Sequence, residues 1–216
     1  MAERELARAK INLSLHVTGR RPDGYHMLDS LVVFAALGDR VEVERASGVS
    51  LTLKGPFSDG LATGADNLAI RAAEQMGGGV AILLEKNLPV GAGIGGGSAD
   101  AAAVIRAMAR ATGRPLPDGA ALARLGADVP VCLDGRPCRM RGIGDRLSPL
   151  PPLPPAWLLL ANGGQPVATA AVFGALQSAA GAPPPPLPPS FRDFGALIDW
   201  LIPTRNDLEQ AACPNR

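Results

Sequence analysis

Positions 89–103 read PVGAGIGGGSADAAA, and five of the seven residues from 91 to 97 are glycine. A run without side chains lets backbone N–H groups approach an anion closely. When such a run opens a helix, the unpaired amides of the first turn attract phosphate. The Ala-rich stretch that follows predicts such a helix, with Ser98 at or near its N-cap. Gly91, Gly93 and Gly96 also fit G-x-G-x-x-G, the turn that holds the pyrophosphate of a dinucleotide.

The context separates these chemistries. A dinucleotide fingerprint starts directly at the end of the first strand of its fold, and an acidic residue ends the next strand roughly 20 residues on. Here Asn87, Leu88, Pro89 and Val90 intervene, several strand-like segments come earlier, and the nearest acidic candidate, Asp118, follows Pro115 and Pro117 at a helix start. A Walker A loop requires Gly-Lys-Ser/Thr after the glycines, which is missing. A phosphate cradle of another kind remains, and it competes with a flexible glycine loop of no chemical use. Five glycines between a strand and a well-formed helix favour the cradle.

The elements that must position this loop follow from periodicity. Residues 7–17, ARAKINLSLHV, alternate: Ala7, Ala9, Ile11, Leu13, Leu15 and Val17 on one face, Arg8, Lys10, Asn12, Ser14 and His16 on the other. Period two predicts a strand whose polar face presents Lys10, Asn12 and Ser14 in a row. TGRRPDGYH (18–26) is a Pro-Asp-Gly loop, and 27–36, 39–46 and 49–55 read as three strands. Residues 66–76 predict a helix capped by Asp66 or Asn67, and 80–86 a strand leading into the glycine loop. Helices are expected from Ser98 to a stop at Gly113 and from Asp118 to Leu125. PLPPLPP (149–155) and PPPPLPP (183–189) read as stiff junctions, WLLLAN (157–162) as a buried strand, and 168–180 and 194–202 as helices.

The chain has 216 residues, 47% hydrophobic and 19% charged, with 26 glycines and 21 prolines, an ordinary globular balance with the prolines clustered. A net charge of +1 supplies no general field for nucleic acid or an anionic membrane, so an anionic ligand must be held locally. Cys132, Cys138 and Cys213 show no metal-like spacing and read as reduced thiols of a cytoplasmic protein. The first residues lack a secretory h-region, and nowhere do about 18 apolar residues run together.

PVGAGIGGGSADAAA resembles the phosphate-loop motif of the GHMP kinase superfamily. ARAKINLSLHVTGRRPDGYHMLDS, ADNLAIRAA, LGADVPVCL, RGIGDRL and RNDLE extend the resemblance over nearly the whole chain. They narrow it to members that phosphorylate a hydroxyl on the methylerythritol part of a cytidine-diphosphate-linked substrate, in non-mevalonate isoprenoid biosynthesis. The resemblance implies an α+β, two-domain fold: a ribosomal-protein-S5-like N-terminal domain with the phosphate loop over 1–148, and an incomplete ferredoxin-like C-terminal domain over 156–216. It implies ATP with Mg²⁺, a small-molecule substrate, and neither nucleic acid nor membrane as partner. Lys10 and Asp128 match the catalytic pair. Pro89, Val90, Gly91, Ala92, Gly93, Ile94, Gly95, Gly96, Gly97, Ser98 and Ala99 match the loop around the ATP phosphates. Asn67 and Lys86 lie where the family approaches the nucleotide, and Asn12, Tyr25, His26, Thr169 and Phe173 match substrate-contacting positions.

The residue types agree with these roles. Phosphoryl transfer needs positioning, charge stabilisation and a carboxylate to take the hydroxyl proton. Tyr25, the single tyrosine in the chain, suits base stacking. On local grounds alone Lys10 reads as a solvated strand lysine, Asp128 as a turn residue, His26 as a loop histidine and Phe173 as helix core. Asp100 is accounted for by its place in a helix first turn. The resemblance also implies further strands, helices and a second glycine-rich segment beyond RNDLE, which makes a C-terminally truncated kinase the expectation. A remnant that binds nucleotide without turnover is the alternative, and a dinucleotide oxidoreductase a more distant one.

Overall fold

The structure, a computed structural model, describes residues 1–165, 167–176 and 181–212. It divides into two compact units, Met1–Lys10 with Phe34–Gly135, and Ile11–Val33 with Arg136–Arg216. Two long strands, β1 (Glu3–Arg20) and β2 (His26–Arg45), give a segment to each.

In the first unit, β2 pairs antiparallel with β4 (Val80–Glu85), from Arg40 opposite Glu85 to Arg45 opposite Val80. β3 (Ser50–Lys54) runs parallel to β4, and the crossover between them is the helix α1 (Leu68–Gln75). Asn67 caps α1 by accepting a hydrogen bond from the Ala69 amide at 2.9 Å. Val41, Val43, Ile82 and Leu84 are buried, as are Ala69, Ala72 and Ala73 of α1. The long helix α2 (Gly96–Thr112) buries Ala101, Ala102, Val104, Ile105 and Met108 and packs against α1. Its alanines allow close approach. Two short helices complete the unit, α3 (Gly119–Leu125), capped by Asp118, and α4 (Val129–Asp134).

In the second unit, β2 pairs antiparallel with β5 (Cys138–Gly142), from Leu28 opposite Gly142 to Val32 opposite Cys138. β5 turns back into β6 (Arg146–Pro149). The loop 21–25 closes with a hydrogen bond from the Arg21 amide to the Tyr25 carbonyl at 2.8 Å. The RNDLE stretch docks on β1: the Leu15 amide donates to the Arg205 carbonyl and the Asp207 amide to the Leu15 carbonyl, each at 2.9 Å. His16, buried, accepts at Nε2 from the Arg205 amide, which leaves its Nδ1–H to donate to the Ala182 carbonyl. Three short helices follow, α5 (Thr169–Gly174), α6 (Phe194–Leu201) and α7 (Glu209–Ala212).

Strands that mix antiparallel and parallel pairing with separate helices make the expected α+β class. No helix among the described residues is long and apolar enough to cross a membrane. Three local expectations change. The two strands read at 27–36 and 39–46 are one continuous β2, because Gly38 is a point of close approach and not a break. A Cβ there would lie 2.9 Å from the Arg8 Cα in β1. The stretch 157–162 is not a buried strand: it has no strand neighbour among the described residues, and Trp157 and Leu159 are 100% and 95% exposed. The helix expected at 168–180 is α5, ending at Gly174; residues 177–180, like Cys213, lie outside the described residues.

Replacing Gly38 by alanine forces β1 and β2 apart against backbone, with no flexible side chain to yield. The expected loss is about 1–3 kcal/mol of stability, read as a lower urea midpoint at unchanged m-value.

Candidate active site

Lys10 is the last residue that β1 gives to the first unit, and it is 5% exposed. A buried ammonium needs a carboxylate within reach. Its Nζ donates to Asp128 Oδ1 at 3.0 Å. Asp128 stands at the N-cap of α4 but makes no side-chain capping bond, so its carboxylate is free to take the lysine. Its side chain is 35% exposed, which leaves the pair open to solvent on the aspartate side. Pro130 at the second helical position and the Val129 amide bonded to the Gly126 carbonyl fix the start of α4. At the other end, Arg106 of α2 donates to the Cys132 carbonyl at 2.9 Å, so the helix that carries Asp128 is held at both termini.

The glycine loop lies over Lys10. The Lys10 amide donates to the Ile94 carbonyl at 2.9 Å, and a Cβ on Gly95 would sit 3.2 Å from the lysine Cβ. Gly91, Gly93 and Gly95 adopt φ of 68°, 72° and 66°, the left-handed region that glycine enters at no steric cost. Gly95 is the N-cap of α2, so the helix begins at Gly96 and Ser98 is its third residue, not its cap. The amides of Gly96, Gly97 and Ser98 therefore open a 17-residue helix at its positive end. Lys10, Asp128 and the loop from Pro89 to Ala99 come together in one unit.

Lys86 is buried, and its Nζ donates to Asp39 Oδ2 and, at 2.7 Å, to Asp100 Oδ2. Asp39 Oδ1 accepts the amides of Asn87 at 2.5 Å and Leu88 at 2.8 Å. Burial pulls the Lys86 ammonium down, but pairing with Asp100 and Asp39 outweighs it and the group ends above its ordinary value. Burial pushes Asp100 up to about 7; Lys86 opposes the shift and the charge on Asp39 adds to it. Asp100 is thus a member of a buried ion triad, and because α2 begins at Gly96 it is the fifth helical residue, not one of the first turn. Cys132, beside this region, has its thiol pushed up to about 12 by burial and by the negative Asp128, which makes it a poor nucleophile. Asn67 spends its side chain on the α1 cap and on the Ala62 carbonyl.

In the second unit, His26 and Phe173 stack with ring centroids 5.2 Å apart and planes 25° apart. Partial burial, with the Arg20 guanidinium adding, holds the His26 imidazole below its ordinary value and so neutral at physiological pH. Tyr25 beside it is exposed, and Thr169 opens α5 with its side chain in solvent. Asn12 donates to Ser30 Oγ at 2.6 Å, and that hydroxyl donates on to the Ser14 carbonyl. Sequence reasoning missed Asp39 altogether. Its one signal was a carboxylate directly after a glycine, inside a stretch of strand residues. It also missed α4, only six residues long.

The glycine loop lies over a lysine–aspartate pair, and a family model, GHMP kinases N terminal domain, matches residues 56–146. A 4-diphosphocytidyl-2-C-methyl-D-erythritol kinase of Cereibacter sphaeroides is 58% identical over 211 residues, 95% of this chain and 75% of the relative. One from Paracoccus denitrificans is 56% identical, over 97% of this chain and 74% of its own length. The crystal structure of a 4-(cytidine 5'-diphospho)-2C-methyl-D-erythritol kinase superposes with a TM-score of 0.73 at 38% identity, covering 98% of this chain and 77% of that one. The chain belongs to the 4-diphosphocytidyl-2-C-methyl-D-erythritol kinase family of GHMP kinases.

The Asp100 shift gives stability a pH dependence of fixed sign. The folded state keeps a proton that the unfolded chain releases near 3.8, so this contribution is full below that pH and is lost as pH rises to about 7. Asp100→Asn removes the titration. Melting curves from pH 4 to 8 are expected to show the variant gaining on the wild type as pH rises, with no further gain above pH 8.

Proposed function

We propose that this chain transfers the γ-phosphoryl group of ATP to a hydroxyl of 4-diphosphocytidyl-2-C-methyl-D-erythritol, a step of non-mevalonate isoprenoid precursor biosynthesis. The observation that carries the proposal is the Lys10–Asp128 pair at 3.0 Å beneath the glycine loop. Family relatives at 56–58% identity supply the substrate.

Asp128, with Oδ2 unpartnered among the described residues, is the base that accepts the hydroxyl proton. Lys10 steadies the attacking oxygen and offsets charge on the transferred group. The residues from Pro89 to Ala99 hold the phosphates through backbone amides at the start of α2. ATP supplies the phosphoryl group, and Mg²⁺ comes with it. Asn67 and Lys86 flank the nucleotide side. Tyr25, His26 and Phe173 offer faces on which a cytosine stacks, and Asn12 and Thr169 supply polar contacts to the same substrate. We assign residues 1–148 to the N-terminal domain and 156–216 to part of the C-terminal domain. We take the compartment to be the cytoplasm, where a thiol such as that of Cys132 stays reduced.

Purified protein is expected to form ADP and the phosphorylated cytidine-diphosphate product together. Asp128→Asn and Lys10→Ala are each expected to lower kcat by about 10²–10⁴-fold, the usual weight of a positioned acid–base group. Nucleotide binding in the absence of any turnover by the wild type would select the inactive alternative, and turnover indifferent to both substitutions would remove the assigned roles.

A further inference from the structure

The loop from Pro89 to Gly95 has little internal structure to hold its shape. The Ile94 carbonyl is tied to the Lys10 amide and the Gly95 carbonyl to the Ala99 amide, while Gly91 and Gly93 are exposed. Its two ends are another matter. At the entry, Asp39 Oδ1 accepts the successive amides of Asn87 and Leu88. At the exit, Asp100, the fifth residue of α2, accepts from Lys86 Nζ at 2.7 Å. Lys86 also donates to Asp39, so one ammonium joins the two ends. Gly96, the residue that closes the loop, sits directly on this cluster: a Cβ there would lie 3.7 Å from Lys86 Nζ, 3.9 Å from Asp39 Oδ2 and 4.0 Å from the Leu88 Cβ.

The cluster is unusual for a purely structural ion pair. All three residues are 4% exposed or less, and two carboxylates share one cation. Asp100 Oδ1 is buried without a hydrogen-bond partner, a cost that a well-packed apolar trio would avoid. A fold that tolerates this in the hinge of a phosphate loop gains a fixed separation between the strand end and the helix start, which apolar side chains enforce less strictly.

We propose that Asp39, Lys86 and Asp100 form a brace that sets the loop's opening, and that they are positioning residues for ATP which act through the loop amides without touching the nucleotide. The proposal rests on the loop being an ATP site, as above. Lys86 is buried, with two of its three N–H donors committed to carboxylates, so its effect on nucleotide is carried by the backbone it holds.

Asp39→Asn keeps the shape of the side chain but turns a charged double acceptor into a neutral one. Its KM for ATP is expected to rise about tenfold, with kcat and the KM for the cytidine-diphosphate substrate changing less than about twofold, the size of effect that misplacement of a binding loop produces. Amides 87–97 are expected to exchange hydrogen faster than in the wild type, with or without ATP. Asp100→Asn, which relieves the buried charge and is expected to fold well, should shift both readouts in the same direction by a smaller factor. A lower melting temperature with unchanged ATP KM and unchanged loop exchange would overturn the brace while leaving the kinase intact. A wild-type chain that binds no non-hydrolysable ATP analogue by calorimetry would overturn both.

Discussion

An ammonium withdrawn from water obliges a fold to bring it an anion, and the first unit is organised around meeting that requirement at Lys10. The partner, Asp128, is 118 residues away in the chain. Bringing it close requires a short helix whose start is set by Pro130 and whose end is anchored by Arg106. It also requires the long α2, from which that arginine projects. The same lysine offers its backbone amide to Ile94, so the glycine loop takes its position from that residue. Strand, loop and helix are thus referenced to one residue. An error in any of them is an error in the distance between the Asp128 carboxylate and the glycine loop.

Lys86 shows what the same chemistry becomes without access to water. Lys10 has one carboxylate, and that carboxylate is 35% exposed; Lys86 has two, both almost completely buried. An exposed carboxylate next to an ammonium can exchange a proton with a substrate. A buried one beside a second carboxylate holds its proton until about pH 7 and has nothing to pass it to. Residue type does not distinguish the two lysines, and neither does their shared closeness to the glycine loop. Solvent access does, and it separates a group suited to reaction from a group suited to holding geometry.

Much of this was legible in the sequence because it depends on short-range order. The strand over 7–17, the Asn67 cap, the Gly113 stop and the Asp118 cap were each set by neighbouring residues, and all appear in the structure, but the strand's polar face is not solvated: Lys10, Ser14 and His16 are buried. What was illegible depends on contacts distant in sequence. Gly38 looks like a break until β1 is known to lie against it. The run 157–162 has the composition of a buried strand, but composition does not supply a neighbouring strand to pair with. Asp39 and Asp100 are 61 residues apart and share a cation from a third element, so no local pattern could link them. The pairing of Lys10 with Asp128 was reached through family resemblance; locally, each residue read as ordinary.

The glycine loop itself shows why a letter pattern and a conformation are different kinds of evidence. Read as G-x-G-x-x-G, the pattern selects Gly91, Gly93 and Gly96. The backbone selects Gly91, Gly93 and Gly95, the three in left-handed conformation, while Gly96 is already helical. A side chain at Gly95 would be strained by φ and would press on Lys10; one at Gly96 would meet only ordinary contacts. The residue that the dinucleotide pattern skips is therefore the one that geometry needs most, because it turns the chain into α2 and lets the loop settle on the lysine. The spacing matches a dinucleotide turn by coincidence of letters. The requirement that fixes it is a helix start placed directly over a buried cation, with free amides on one side and an ammonium on the other.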